Sequence, residues 1–226
     1  MFDPYDSVSH TAPLTAEGVT QPLEICRRTA LAGMAALITT AMTSRARADD
    51  VSIEMILNDP AAPASGNLKG DLTIVSFFDY NCPFCKTTVE PLNAVLKSDG
   101  NIRHVFKDWP ILSPTSIYGA KLALAAKYQN RYAEAYSALM AIEGGRVPEE
   151  KMRAALQAAD LDFTRLEADA RGKDADITAL LKRNHAQAEG LGLRGTPAFV
   201  IGKFLVPSAL DERGFRQVVA DARKAT

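Results

Sequence analysis

Beyond residue 48 apolar residues fall into two textures, short dense runs within 72–106 and 198–202 and a long Ala-rich stretch between them. Leu72 to Phe78 (LTIVSFF) is β-branched and aromatic, bounded by Gly70-Asp71 and Asp79-Tyr80-Asn81, the pattern of a strand buried on both faces. A helical stretch follows from Lys86 to Leu96, with Pro83 suited to its first turn, where a missing N–H costs nothing. Pro91 lies inside that stretch and predicts a kink about one turn later. Ile102 to Phe106 predicts a second strand, ending at Lys107-Asp108-Trp109-Pro110. From Ser116 to about Ala188 the spacing predicts helices at about 116–128, 131–142, 149–159, 163–171 and 174–189, with breaks at Gly144-Gly145 and Leu161-Asp162. The strand signal returns at Ala198 to Gly202, before a last helix from about Asp211 to Lys224. This order predicts an α/β fold, a small sheet with a helical insertion: a first part over 49–115, the insertion over 116–189, and a second part over 190–226.

Residues 1–25 carry Pro4, Pro13, Pro22, Gly18 and scattered Ser and Thr without apolar periodicity, so they read as disorder. Arg27-Arg28, the apolar run Ala30 to Met42 and Ala46-Arg47-Ala48 then have the layout of an export signal, with cleavage expected after Ala48. The run holds thirteen residues, against about 20 needed to span a bilayer. A cleaved signal is therefore expected, with no stable membrane anchor; an N-terminal helix that stays attached is the bland alternative. The segment CRRTALAG resembles a twin-arginine (Tat) signal, supported by Arg45 and Arg47 and matched only in part by Ala30 and Leu31, with the Sec route as the alternative. Cys26 precedes the apolar run, whereas the acylated cysteine of a lipoprotein follows it.

Composition narrows the function classes. The 226 residues carry a net charge of -1, which removes the basic surplus that a dedicated nucleic-acid binder uses against phosphates. Three cysteines are too few for a disulfide-dense scaffold. Loss of the leader would leave only Cys82 and Cys85.

These two lie three residues apart where a strand gives way to a helix. There the first sulfur meets the helix N-terminus, whose unpaired N–H groups and dipole stabilise a thiolate. A thiolate attacks disulfides and leaves well, so the same feature serves exchange in both directions. Cys85, one turn further in, is expected to be the shielded, resolving thiol. Two other readings compete. A zinc half-site would need two more ligands, and only His104 and His185 remain, 81 residues apart. A structural disulfide closing so tight a ring would gain little. The second element is Gly195-Thr196-Pro197 just before the last strand, where proline must begin the ladder; both a cis Thr196–Pro197 bond and a simple trans turn fit it.

Together, FFDYNCPFCK, KDWPILSPTS and NHAQAEGLGLRGTPAFVIG resemble the DsbA-type branch of the thioredoxin superfamily, exported thiol–disulfide oxidoreductases with a helical domain inserted in a thioredoxin-like fold. The match runs from about Ile56 to the C-terminus. The resemblance implies Cys82 as nucleophile, Cys85 as resolving thiol and Pro197 as a cis-proline facing them. It also implies substrate contacts by the Thr196 backbone, Pro83 and Phe84, with no cofactor and no metal. The implied partners are thiols and disulfides of exported proteins and a membrane redox partner, in the periplasm. Two departures stand out. Ser76 occupies a position where many relatives carry a buried Glu that assists proton transfer, which leaves Asp79, or water, as the candidate. Phe84 replaces the histidine of strongly oxidising relatives, so a less oxidising couple is expected. Thr196 also occurs in isomerase-like and copper-resistance-associated relatives, which leaves oxidase and isomerase both open, beside a peptide-binding, chaperone or copper-sequestering module without turnover. Trp109-Pro110, His104 and His185 read as structural or solvated positions, and Ser113, Ser116 and Ser208 form no triad.

Overall fold

The run Leu72–Phe78 is the central strand of a mixed sheet in the computed structural model, which describes residues 51–225. The expected export signal, Cys26 and the cleavage point after Ala48 lie outside the described residues. Five strands line up in the order β1-β3-β2-β4-β5: β1 is Ala64–Gly66, β2 Leu72–Phe78, β3 Ile102–Asp108, β4 Ala198–Ile201 and β5 Phe204–Val206. β2 pairs parallel with β3 and antiparallel with β4, while β1 and β5 close the edges as antiparallel strands. Helices α1 (Ile53–Asn58) and α2 (Pro83–Asp99) lie in the first part of the chain. Between β3 and β4 run α3 (Pro114–Ala125), a 3-10 turn (Ala126–Gln129), α4 (Tyr132–Met140), α5 (Glu149–Ala158), α6 (Phe163–Gly172) and α7 (Asp174–Gly190). Helix α8 (Glu212–Lys224) ends the fold. This is the thioredoxin-like α/β architecture with helices inserted between β3 and β4.

The side-chain period of two explains why β2 has so few polar positions. Leu72 and Ile74 project to one face and pack with Leu92 and Val95 of α2 and with Phe215 and Val219 of α8. Val75 and Phe77 project to the other and pack with Ile56 of α1, Trp109 and Ala188 of α7. A strand covered on both faces has no solvent side on which to place a polar residue.

Element boundaries shifted where capping decided them. α2 begins at Pro83 rather than Lys86 because Cys82 is its N-cap, and it continues through Pro91 to Asp99. α3 begins at Pro114 rather than Ser116, with the Ser113 hydroxyl accepting the Ser116 N–H. β3 extends to Asp108, and β4 stops at Ile201 because Gly202 turns the chain at φ 56 into β5. The short edge strands β1 and β5 and helix α1 carry no periodic signal long enough to read from sequence alone.

A buried ionic cluster fastens the inserted helices to the sheet. Asp59 accepts the Arg183 guanidinium at 2.8 and 3.0 Å and Lys107 Nζ at 3.3 Å, joining the segment after α1, α7 and β3. Asn184 of α7 donates to the Asp108 carbonyl at 3.0 Å.

Candidate active site

At the C-terminal end of β2 the chain turns through Asp79-Tyr80-Asn81 into Cys82, and all three side chains of that turn are hydrogen-bonded. Asp79 is buried and its carboxylate accepts three backbone N–H groups: Asn81 at 2.7 Å, Ile111 at 2.8 Å and Leu112 at 2.9 Å. It thereby pins the 109–113 loop beside the cysteines. Burial raises its carboxyl above the usual range, against the pull of the Ser116 hydroxyl and of those backbone hydrogen bonds. Asn81 ties the turn to the inserted helices. Its amide faces the hydroxyls of Ser113, Thr115 and Ser116 at 2.9–3.0 Å, and its carbonyl accepts the Val147 N–H at 2.6 Å. An amide has two N–H donors, so three hydroxyls share them. Lys86 makes a further tie, donating to the carbonyls of Ile142 and Gly144 at 2.5 and 2.6 Å. Gly145 sits so close that a Cβ there would stand 3.0 Å from the Asn81 backbone carbonyl oxygen and 3.4 Å from the Pro83 ring.

Both cysteines are reduced and covered, Cys82 at 3% exposure and Cys85 at 2%, so exposure does not separate them. Hydrogen bonding does. The Cys82 sulfur caps α2, accepting the Cys85 N–H at 3.2 Å. Its pKa is lowered to about 6, first by the hydrogen bond from the Cys85 thiol and further by Thr196 and the Cys85 N–H, against burial and the Asp79 charge. Cys85 moves the other way: burial first, then the bond it donates to Cys82 and the charge on that sulfur, hold it protonated. A stabilised thiolate beside a thiol that keeps its proton is the division of labour that exchange needs.

The loop before β4 reaches the same point. The Thr196–Pro197 bond is cis, and the Cys82 thiol lies 3.3 Å from the Thr196 carbonyl, to which it donates when protonated. Pro83 and Phe84 are exposed beside the cysteines, Phe84 at 66%, and Leu112 is 51% exposed on the Asp79-pinned loop. The geometry thus brings Asp79, Cys82, Pro83, Phe84, Cys85, Thr196 and Pro197 into one neighbourhood.

Two buried polar clusters below the cysteines were not anticipated. Ser76 contacts His104 Nε2 at 2.8 Å, and burial lowers the imidazole pKa to about 3, so the pair is neutral. Asp108 accepts the hydroxyls of Tyr80 at 3.0 Å and Tyr132 at 2.7 Å; burial, opposed by those two bonds, raises it to about 7. The spacing of Asp108 in KDWP gave no sign of this, because both tyrosines are brought in by other elements. His185 lies apart from the cysteines, accepting the Trp109 indole N–H at 2.9 Å.

A family model described as Thioredoxin matches residues 58–221. The chain belongs to the thioredoxin family. Among solved structures it is similar to a thioredoxin-like oxidoreductase from Silicibacter pomeroyi DSS-3, with 36% identity and a TM-score of 0.73, covering 77% of this chain and 99% of that one. The thiol-disulfide exchange protein alpha-DsbA2 from Wolbachia pipientis shares the fold at 24% identity and a TM-score of 0.70, with 80% and 97% covered. A periplasmic thioredoxin-like protein from Salmonella enterica serovar Typhimurium aligns at 26% identity and a TM-score of 0.62, over 75% and 94%. Curated relatives include the Na(+)/H(+) antiporter NhaA 1 of Mycobacterium sp. (strain KMS), 24% identical over 156 residues, and the chain spans only 25% of its length. Among the described residues no helix is long and apolar enough to cross a membrane.

Proposed function

We propose that the chain is an exported thiol–disulfide oxidoreductase acting on cysteines of other exported proteins through the Cys82–Cys85 couple. The observation that carries this reading is the placement of the two sulfurs: Cys82 caps α2, accepting the Cys85 N–H at 3.2 Å, and lies 3.3 Å from the carbonyl of the Thr196–Pro197 loop, while Cys85 is buried one turn further in. In the oxidising direction a substrate thiolate attacks the Cys82 sulfur. The Cys82–Cys85 bond breaks and Cys85 leaves, taking a proton. A second substrate thiolate then attacks the substrate sulfur of the mixed disulfide and expels Cys82 as the stabilised thiolate. The substrate loses two electrons, which the couple gains, and two protons, one ending on Cys85 and the other in solvent because Cys82 stays a thiolate; the reverse sequence reduces or isomerises a disulfide.

Pro83 and Phe84 supply an exposed surface and the Thr196 backbone a pairing edge for an extended substrate segment. Asp79, whose charge acts on the Cys82 sulfur, is the candidate proton relay, although its oxygens are already engaged by backbone N–H groups. Export and cleavage after Ala48 are supported by the Arg27 to Ala48 pattern, and a periplasmic setting by the Salmonella relative. Reoxidation there falls to a membrane redox partner.

The test combines two refolding assays with reduced and with scrambled disulfide proteins. Transfer that requires Cys82 in both assays marks an isomerase, and in the first alone an oxidase. No gain over glutathione buffer in either would overturn turnover and leave a peptide-binding, chaperone or copper-sequestering module.

A further inference from the structure

Next to the cysteines opens a groove of about 660 Å³ whose lining includes Phe84, Arg194, Thr196, Pro197, Pro207 and Ala209. Its lining is apolar or uncharged apart from Arg194. That side chain is exposed, and among the described residues it makes no hydrogen bond or ion pair. Arg183, Arg216 and Arg223, by contrast, each hold a carboxylate of the chain itself. Arg194 is also tied to the reacting centre: Thr196, two residues on, places its carbonyl 3.3 Å from the Cys82 sulfur.

We propose that Arg194 selects the substrate cysteine by its neighbours, favouring an extended segment with Asp or Glu within one to three residues of the reacting thiol. This deepens the proposed function and rests on it. Two residues of chain span about 7 Å, so an acid that distance from a cysteine bonded to Cys82 comes within reach of the long guanidinium arm. The planar guanidinium matches a carboxylate with two parallel N–H bonds, while Phe84 and the prolines accept the apolar residues beside it. The groove's opening to solvent keeps the effect modest and sensitive to salt.

The experiment uses the oxidised full-length protein and two dithiol peptides that differ only in carrying Asp or Asn two residues after the reacting cysteine. The rate constant for peptide oxidation is read for each, at low and high salt. The expected result is a preference of about two- to fivefold for the Asp peptide, which fades at high salt. The ratio collapses to one in Arg194→Gln and inverts in Arg194→Glu, while Arg171→Gln, which removes one charge from the exposed end of α6, keeps the parent ratio. Equal rates for the two peptides in the parent, or a preference that survives Arg194→Gln, overturn the proposal while leaving the proposed function standing. Failure to oxidise either peptide overturns the proposed function, and this selectivity with it.

Discussion

The Cys82 sulfur lies 3.3 Å from the carbonyl oxygen of Thr196, a residue 114 positions later in the chain. Two motifs that are separate in sequence therefore form one site, joined because β2 and β4 are neighbours in the sheet. The turn after β2 delivers the cysteines and the turn before β4 delivers the backbone that faces them.

The first expectation concerns titration and redox poise. Cys82 should titrate near pH 6 and Cys85 should stay protonated. Thiolate absorbance of the reduced protein against pH checks this. A thiolate stabilised to that degree favours the reduced form, so the couple's potential should fall between thioredoxin's about −270 mV and DsbA's about −120 mV. The pH dependence follows. A free thiol titrates near 8.5, so the folded-state value is depressed, and the stability Cys82 contributes to the reduced protein is present above about pH 8.5 and lost as pH falls through about 6. Denaturant titrations of reduced parent and Cys82→Ser should diverge across that window, by at most about 4 kcal/mol.

Asp79→Asn should separate stability from reactivity. The substituted amide turns one acceptor into a donor facing backbone N–H groups, which should cost about 1–3 kcal/mol. It also removes a negative charge that raises the Cys82 pKa, so the thiolate should become easier to form. A less stable protein with a lower Cys82 pKa is the expected pair of results; a raised pKa would show that Asp79 acts on the sulfur in some other way.

Asp108 predicts a pH effect of opposite origin. Its carboxyl is raised to about 7 in the folded protein, against about 3.9 for a free aspartate. The stabilisation belongs to the protonated form, so it is present below about pH 4 and lost as pH rises through about 7. Asp108→Asn, which stays neutral, should gain on the parent over that interval by at most about 4 kcal/mol, read from urea midpoints at several pH values.

Much of this architecture is legible from the sequence because β2 and β4 are dense apolar runs bounded by turn residues and the inserted helices are long and periodic. The Cys82–Cys85 spacing and the proline before β4 likewise announce the site, since each is a local backbone feature. What the sequence hides is the wiring between them. Nothing local to Asn81 says that Val147 will need its carbonyl, and nothing in KDWP says that Asp108 will meet Tyr80 and Tyr132. Those contacts depend on how the inserted helices dock, a tertiary outcome without a sequence period. The edge strands β1 and β5 escape for a related reason: three residues each, they are strands only because a neighbour offers a ladder.

Asn81 is the test of that wiring. Asn81→Ala leaves the Val147 N–H and the Ser113–Thr115–Ser116 hydroxyls without their shared partner, which should cost about 2 kcal/mol. Replacement of the exposed Asn101 by Ala should cost much less. Comparable losses, read as melting temperatures of the two variants, would show that Asn81 does not fasten the active-site turn to the inserted helices.

The most direct measurement of exchange through Cys82 is covalent trapping. Cys85→Ser, incubated with a disulfide-bonded peptide and quenched with acid, should accumulate a mixed disulfide located on Cys82 by mass spectrometry, whereas Cys82→Ser should accumulate little at Cys85. Equal trapping by the two variants, or none by Cys85→Ser, would contradict the assignment of Cys82 as the attacking sulfur and of this site as a thiol–disulfide exchange centre.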